Sequence, residues 1–220
     1  MIRHFFCLLF ASATLGVSTN LRAAEPQTSP SEWKFISNKD GVALYRRDRA
    51  IANETKAIGE IAAPAAAIHA VINDVESYAS FMPYTVECRV LKRDGNSIVA
   101  YQRISAPLTS DRDYTVRIRS SSRPVEGATI YLCQWEAENA SGPPEKSGVV
   151  RVKLCDGSWL LEPLSANTTR ATYTLYTDSG GVLPAFVKNV GSQIGIRKLF
   201  AAIRKQVREP RYANAATPKS

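Results

Sequence analysis

Two acids, an arginine and a tyrosine stand together in the stretch SDRDY, residues 110–114. Side chains of these types can transfer protons, form ion pairs or bind a charged ligand. The stretch leads into a segment in which apolar and polar side chains alternate, which predicts a strand with one buried face. Its inward residues are Tyr114, Val116 and Ile118. From the residue types alone, these charged side chains could take part in chemistry or could only turn the chain into the strand.

Histidines, which often serve in catalysis or metal binding, are few. The chain has two, and His4 falls in a segment that we expect to be removed. His69 lies off the apolar stripe of a predicted helix, where a solvated histidine is expected. No Cys or His spacing fits a zinc site, and the mature sequence has no Gly-rich phosphate loop or Ser-His-Asp set. The sequence therefore predicts no catalytic residue, no metal and no cofactor.

The chain has four cysteines, and three of them lie after the N-terminal segment that we expect to be removed: Cys88, Cys133 and Cys155. Because three is an odd number, at least one thiol is unpaired within the mature chain. Alternation places Cys133 on the same face as Trp135 and places Cys155 on the face opposite to inward Val152. Cysteines on opposite faces cannot be bridged without backbone movement. We predict that Cys133 and Cys155 form no disulfide.

The first 24 residues have the pattern of an export signal. Basic side chains precede an apolar run from Phe5 to Val17, and Ala23-Ala24 comes before polar residues. The run is too short to span a bilayer of about 30 Å as a helix. This predicts cleavage near Ala24, a flexible leader at 25–32, and an exported, periplasmic protein; a buried helix of a cytosolic protein is the alternative.

The remaining chain predicts one α+β domain built on an antiparallel sheet. About nine strand-like segments follow one another, with turns such as Asp40-Gly41 between them. Pro64 is suited to the first position of an early helix. Apolar residues follow it at helical spacing, namely Ile68, Val71, Ile72, Val75 and Tyr78.

A strongly amphipathic helix is predicted from about Pro184 to Arg208. Its apolar stripe contains Phe186, Val190, Ile196, Phe200, Ile203 and Val207, and its basic stripe contains Lys188, Arg197, Lys198, Arg204, Lys205 and Arg208. Gly191 and Gly195 lie inside it and each costs roughly 1 kcal/mol relative to Ala. They are expected to serve close packing against the sheet or local opening of the helix.

The net charge of the full chain is +8 at pH 7. Export excludes nucleic acid as the obvious partner, whereas each Lys or Arg near an anionic membrane contributes about 1 kcal/mol. Arg204, Lys205 and Arg208 are therefore expected to make transient contact with anionic lipid. A solvated face that only maintains solubility is the alternative.

Six segments resemble START domains, the lipid-transfer domains related to steroidogenic acute regulatory protein, in order and spacing. They are DGVALYRR, KAIGEIAAPAAAIHAVINDVESYASFMP, YQRISAPLTSDRDYTVRIR, KSGVVRVKL, SWLLEPL and GGVLPAFVKNVGSQIGIRKLFAAIRKQV. The resemblance extends from about Trp33 to Val207. It implies a helix-grip fold, in which a curved antiparallel sheet of about nine strands wraps around a long C-terminal helix and encloses an apolar cavity. The domain would span 33–208, and a disordered basic tail would follow at 209–220. The resemblance also implies that residues 110–113 form the corner at which the chain enters a central strand, with the acids satisfying local N–H groups and Arg112.

The resemblance also implies that this cavity holds one hydrophobic molecule. The expected ligand-binding residues are Tyr78, Met82, Tyr84, Tyr101, Arg103, Tyr114, Val116, Ile118, Cys133, Trp135, Val152, Tyr173, Phe186, Val190 and Ile194. Some cholesterol-binding relatives have an arginine at the position of Ile118 and its acidic partner at that of Arg103. Arg103 is therefore expected to face outward, to find another acid, or to meet an anionic group of the ligand. Relatives that clamp a phosphocholine head use a basic and an acidic residue where this chain has Tyr78 and Met82, which argues against phosphatidylcholine.

The function that the resemblance implies is non-catalytic binding and transport of a single lipid, which is sterol-like, hopanoid-like or a phospholipid. A monomer is expected. One alternative is an enzyme of the wider helix-grip superfamily, of cyclase or hydrolase type, that acts on a hydrophobic small molecule. A second alternative is a partner-binding module.

Overall fold

A computed structural model describes residues 32–107, 109–178, 180–181 and 185–213, with the side chains of all of them except 185–192. The predicted export signal, most of the leader and the end of the predicted tail lie outside the described residues. No helix in the described ranges is long and apolar enough to cross a membrane.

Ten strands within the described residues form one curved sheet, where the sequence predicted about nine. They are β1 (Lys34–Lys39), β2 (Val42–Asp48), β3 (Asn53–Ile61), β4 (Thr85–Asp94), β5 (Ser97–Ile104), β6 (Asp111–Val125), β7 (Ala128–Ala137), β8 (Val149–Arg151), β9 (Leu154–Ser165) and β10 (Thr168–Asp178). The hydrogen-bonded order is β1-β2-β3-β10-β9-β7-β6-β5-β4, with every pair on this path antiparallel. The short β8 pairs in parallel with β6. The predicted α+β class is confirmed.

The turn between β1 and β2 shows how local sequence sets the register. Asp40 and Gly41 have φ values of 56° and 66°. A two-residue hairpin loop with both central residues at positive φ matches the right-handed twist of its strands, and Asp-Gly suits it because glycine adopts this conformation without steric cost. The loop sets Lys39 opposite Val42, so Val42 and Leu44 face the core.

In the part of the chain that the structure describes, four α-helices lie outside the sheet. They are α1 (Ala65–Asn73), α2 (Tyr78–Phe81), α3 (Ala185–Gln206) and α4 (Pro210–Ala213). The apolar stripe predicted for α1 is buried at Ile68, Val71 and Ile72, and Pro64 caps the helix directly before it begins. In α3, buried Ile196, Phe200 and Ile203 recur at helical spacing and face the sheet.

Hydrogen bonds fix the C-terminal part of α3 to the β1–β2 turn and to β3. The Arg204 guanidinium donates to the backbone carbonyls of Asp40 at 2.8 Å, Gly41 at 3.0 Å and Glu60 at 2.9 Å. A guanidinium has five N–H donors in a fixed plane, which allows it to satisfy several carbonyls at once. Arg204 is therefore a structural clamp.

Two sequence-based expectations at the periphery are wrong. The chain is not disordered directly after 208, because α4 follows and buried Tyr212 donates to Asp74 at 2.7 Å. His69 is not solvated, because its ring stacks on Tyr131 with centroids 4.4 Å apart. Desolvation by burial lowers the pKa of His69.

Candidate functional site

A pocket of about 320 Å³ lies between the inner face of the sheet and α3. Its described lining residues are Ile72, Tyr78, Met82, Pro83, Tyr84, Thr85, Gln102, Ile104, Arg112, Tyr114, Val116, Ile118, Cys133, Trp135, Val152, Cys155, Trp159, Tyr173, Leu175, Thr177, Gly195, Ile196 and Leu199. Most of these side chains are apolar or aromatic. A largely apolar concavity with a few polar groups is typical of small-molecule sites.

Three aromatic side chains lie side by side along the sheet wall of the pocket. Tyr173 lies 5.7 Å from Trp135 and 4.8 Å from Trp159, measured between ring centroids. Trp159 in turn lies 5.2 Å from Phe200 of α3. Gly157 makes room for this wall, because a Cβ there would fall 2.3 Å from Trp135 Cζ2. Rings at these spacings pack favourably beyond the area that they bury.

Ten of the fifteen expected ligand-binding residues lie on the pocket wall. They are Tyr78, Met82, Tyr84, Tyr114, Val116, Ile118, Cys133, Trp135, Val152 and Tyr173. The side chains of Phe186 and Val190 lie outside the described residues. Ile194 is 45% exposed and off the wall, because the neighbouring Gly195 and Ile196 occupy the pocket side of α3.

Tyr101 and Arg103 lie on the outer face of β5, so neither is on the pocket wall where ligand-binding residues were expected. For Arg103 the structure shows two of the expected alternatives, because it faces outward and finds another acid. Arg103 Nη2 contacts Asp111 Oδ2 at 2.6 Å. The Tyr101 hydroxyl donates to Asp113 at 3.2 Å. Tyr101 is fully buried nevertheless, with Arg89 over its ring and the loop after β7 beside it. Its apolar character therefore does not indicate the pocket.

Arg112 lines the pocket, although the sequence interpretation assigned it to the corner. The strand β6 begins at Asp111, so Arg112 already follows the alternation that turns Tyr114, Val116 and Ile118 inward. Asp111 and Asp113 alternate with it and lie on the outer face, where they bind Arg103 and Arg151. Arg112 is two residues before Tyr114 and so belongs to the same inward series as Tyr114, Val116 and Ile118. This spacing in the sequence could have identified Arg112 as a pocket residue.

Cys155 also lines the pocket, contrary to expectation. The strand is interrupted between β8 and β9, at residues 152–153, and the interruption brings Val152 and Cys155 to the same wall. All three cysteines are free. Cys133 and Cys155 cannot form a disulfide because of the strand register, and not because they lie on opposite faces. Cys133 pairs with Trp159, which is four residues from Cys155. The two cysteines are therefore separated by roughly 13 Å along the strands.

Burial favours the protonated forms of several titratable groups on the pocket wall. Desolvation raises the pKa of Tyr78, Tyr114 and Tyr173, and it raises the pKa of Cys155 to about 12. A low-dielectric site disfavours the phenolate and the thiolate because each would bring an unscreened charge.

The outer face of the sheet differs from the pocket wall. Several of its arginines are ion-paired: Arg151 with Asp113 at 2.7 Å, Arg117 with Glu138 at 2.6 Å, and Arg119 with Glu136 at 2.5 Å. A second depression of about 420 Å³ lies here, with Glu54, Arg119, Asp156 and Tyr176 among its lining residues.

The basic residues near the C-terminus serve several purposes. Arg197 donates to Ser37 at 2.6 Å, Lys198 lies 4.8 Å from the centre of the Tyr84 ring, and Arg211 contacts Asp74 at 3.2 Å. Lys205 and Arg208 are exposed. The expectation that Arg204 is a membrane-contact residue is not supported, because its guanidinium donates to backbone carbonyls.

Comparison with known proteins gives relatives that match most of the chain. An uncharacterised protein of Pseudomonas aeruginosa is 26% identical over 185 residues, which cover 82% of this chain and 86% of the relative. The phosphatidylcholine transfer protein of Rattus norvegicus is 28% identical over 178 residues, which cover 78% of this chain and 82% of the relative.

Solved structures show the same fold. The STAR-related lipid transfer protein from Xanthomonas axonopodis is similar with a TM-score of 0.70 at 23% identity, over 80% of this chain and 99% of that chain. Human STARD10 is similar with a TM-score of 0.71 at 20% identity, over 83% of this chain and 76% of that chain. The family described as polyketide cyclase / dehydrase and lipid transport matches residues 61–204. The resemblance to START domains is thus confirmed, and the chain belongs to this polyketide cyclase / dehydrase and lipid transport family.

Proposed function

We propose that the protein binds and carries a single hydrophobic lipid, without changing it covalently, in the pocket between the sheet and α3. The observation that carries this proposal is the wall of apolar and aromatic side chains around a volume of about 320 Å³. Pockets for small molecules have volumes of about 300–1,000 Å³, so this one suits a compact or single-chain lipid.

The relatives support the same class of function. Lipid transfer is named in the STAR-related structure from Xanthomonas axonopodis and in the phosphatidylcholine transfer protein of Rattus norvegicus. Phosphatidylcholine is a less suitable ligand here, because Tyr78 and Met82 place a phenol and a thioether on the wall. The Tyr78 hydroxyl already donates to the carbonyl of Ile72.

The state of the pocket groups supports a role without catalysis. A general base is most effective when its pKa lies near the working pH. The pKa values of Tyr78, Tyr114, Tyr173 and Cys155 are all raised, so these groups stay protonated at neutral pH. His69 stacks on Tyr131 and is absent from the pocket wall.

Native purification followed by lipid extraction and mass spectrometry tests the proposal. We expect one lipid class in near-stoichiometric amount, and the same lipid should be recovered unchanged after incubation with the protein. A covalently altered product would favour the enzyme alternative. Protein that carries no lipid and takes up none from vesicles would contradict the proposal.

We further propose that the protein is exported through its first 24 residues and that the exposed Lys205 and Arg208 meet an anionic membrane during lipid exchange. Replacing both by glutamine should slow transfer between anionic vesicles at low salt and leave transfer between neutral vesicles unchanged. Lys92→Gln on the exposed end of β4 is a matched control. Equal transfer rates for the double variant and the wild type would exclude the docking role.

A further inference from the structure

Aromatic and basic side chains lie together on the outer face of the sheet, where β1, β2 and β3 pair. One cross-strand row contains Phe35, Tyr45 and Lys56, since Phe35 pairs with Tyr45 and Tyr45 pairs with Lys56. Leu44 and Ala57 adjoin this row in sequence and are fully buried in the core. Because successive side chains on a strand point to opposite sides, the row faces away from the core.

Cationic groups lie over the aromatic rings of this face. The centre of the Trp33 ring is 4.5 Å from the Arg47 guanidinium and 4.4 Å from the Lys56 ammonium. The same ammonium is 5.1 Å from the centre of the Tyr45 ring, and Phe35 packs edge-on against Tyr45 with centroids 5.7 Å apart. The face of an aromatic ring attracts a cation at such distances. We call Trp33, Phe35, Tyr45, Arg47 and Lys56 the β1–β3 patch.

The β1–β3 patch presents apolar rings to solvent. Phe35 is 60% exposed, and Trp33 is half-buried. β1 is the last strand in the hydrogen-bonded order of the described sheet, so Phe35 lies near a sheet edge. Leaving a large aromatic side chain in water is unfavourable. Exposed rings beside basic groups are found instead where a protein surface meets the boundary between water and lipid headgroups.

Positive charge outweighs negative charge in and around the β1–β3 patch. The buried carboxylate of Glu54 contacts Arg47 at 2.7 Å and Arg49 at 2.9 Å, so one acid serves two guanidinium groups. Lys56 adds a third positive charge. Burial, and then the charge of Arg47, lower the pKa of Lys56, and the attraction to Glu54 does not compensate for them. An anionic surface would relieve this repulsion between like charges.

We propose that the β1–β3 patch is a docking surface for an anionic membrane, with the rings of Trp33 and Phe35 among the lipid headgroups and the cations of Arg47 and Lys56 near the phosphates. Tryptophan anchors proteins at the membrane–water interface because its ring is amphipathic. Basic groups near an anionic bilayer add electrostatic attraction. This surface belongs to the outer face of the sheet and is separate from the basic residues of α3.

The test measures binding to vesicles of phosphatidylcholine, with and without phosphatidylglycerol as the anionic lipid. Co-sedimentation at low salt compares wild type with Phe35→Ser, which removes the exposed ring, and with Lys56→Gln, which removes a charge. Wild type should bind the anionic vesicles about tenfold or more tightly than the neutral ones, and high salt should remove this preference. Each variant should bind the anionic vesicles about fivefold more weakly than wild type.

Tryptophan fluorescence shows which surface touches the membrane. Vesicle lipids brominated close to the headgroup should quench Trp33, and the Trp33→Phe variant should lose this quenching. The substitution is needed because Trp135 and Trp159 line the pocket, where a lipid that enters would quench them as well.

Leu164→Ser and Lys92→Gln are matched controls, because they remove an exposed apolar side chain and an exposed charge elsewhere on the sheet. Both should bind vesicles like wild type. The variant with Lys205→Gln and Arg208→Gln should still show quenching of Trp33, because these two residues belong to α3. The lipid that co-purifies with the protein should be the same in wild type and in every patch variant.

Equal binding of wild type, Phe35→Ser and Lys56→Gln to anionic vesicles would overturn the inference and leave the proposed lipid carriage standing. Quenching that persists in full in Trp33→Phe would also overturn it. So would a dimer of wild type that Phe35→Ser abolishes, because the patch would then bind a second copy of the chain. Docking through the patch by a protein that carries no lipid would support the inference and contradict the proposed function. If Phe35→Ser fails to fold, Lys56→Gln and the quenching of Trp33 still decide the matter.

Discussion

The two faces of β6 carry similar charged residues in different settings. On the outer face, Asp113 is 1% exposed and binds Arg151, whose side chain is 7% exposed. On the inner face, Arg112 shares a pocket wall with Tyr114, Val116 and Ile118. Successive side chains on a strand point to opposite sides, so neighbours in sequence can belong to separate sites.

This difference between the two faces of the sheet indicates that they have separate roles. Several of the outer charges are paired within the protein. The loop after β7 covers part of this face: Arg151 donates to the carbonyl of Pro143 at 3.0 Å, and Asn139 accepts from the Thr115 N–H at 2.9 Å. The inner face leaves a volume of about 320 Å³. Substitutions on the outer face should therefore change stability, and substitutions on the inner face should change ligand binding.

Among these substitutions, Ile118→Arg should have the largest effect on stability and on lipid binding, because it adds a charge to the inner face. Ile118 is buried beside Ile98 and Trp135, where no acid is paired with it across the sheet. An uncompensated buried charge costs about 3–5 kcal/mol, so the free energy of unfolding should fall by that order and lipid retention should be lost. Urea unfolding and lipid analysis measure the two effects. Ser121→Arg, exposed on the outer face of the same strand, is the control and should change stability by less than about 0.5 kcal/mol.

Asp113→Asn tests the outer face. Arg151 would keep hydrogen-bond acceptors but lose the carboxylate that raises its pKa, leaving a nearly buried charge. We expect the free energy of unfolding to fall by about 3 kcal/mol, at the lower end of the range for broken buried pairs. Lipid binding by the folded protein should stay at the wild-type level. Asp111→Asn is the control, and it should destabilise much less because the Arg103–Asp111 pair is more exposed.

Alternation allowed part of the inner wall to be predicted from the sequence. It placed Tyr114, Val116 and Ile118 correctly because β6 is regular over this length. It failed at Cys155, because the sequence gives no sign that the strand is interrupted at residues 152–153. Long-range strand register decides that point, and it depends on Val152 donating its N–H to Asp113 of β6 at 2.9 Å.

Two residues of the central strands were placed wrongly from the sequence. Arg112 was assigned to the corner before the strand, and Tyr101 was expected among the ligand-binding residues of the pocket. Tyr101 is buried by a loop that follows it by about forty residues in the chain, and no local pattern predicts such a cover. The fold class, by contrast, followed from local hydrophobic periods and turn residues, which the ten strands and the stripe of α1 confirm.

Alkaline pH should lower the free energy of unfolding through the buried thiol groups of the inner face. Cys155 has an unfolded pKa of about 8.5 and a folded pKa of about 12 because burial disfavours the thiolate. Stability linked to this group is fully present below the unfolded value and is lost as the pH rises toward 12, at up to about 1.4 kcal/mol per pH unit. Between about pH 9 and 10, Cys155→Ala should lose less unfolding free energy than wild type, by roughly 1 kcal/mol. Parallel pH curves would contradict the assignment of Cys155 to a buried wall.

Gly195→Ala should have the smallest effect and should stabilise the protein. Gly195 lies inside α3 on the pocket wall, and a Cβ there would meet no atom of the described residues within 4 Å. Close packing therefore does not explain this glycine. Alanine should raise the free energy of unfolding by about 0.5–1 kcal/mol, because glycine loses more backbone entropy in a helix.

The matched control for Gly195→Ala is Gly157→Ala, where a Cβ would lie 2.3 Å from the Trp135 ring and the same exchange should destabilise. Opposite signs for the two exchanges would show that the pocket volume lies beside α3 and that the sheet wall is tightly packed. Gly195→Leu should keep most of the helix gain but occupy pocket volume, and so it should weaken lipid binding in proportion to ligand size. A loss of stability in Gly195→Ala equal to that in Gly157→Ala would mean that α3 packs directly against the sheet, with no room for a ligand at this position.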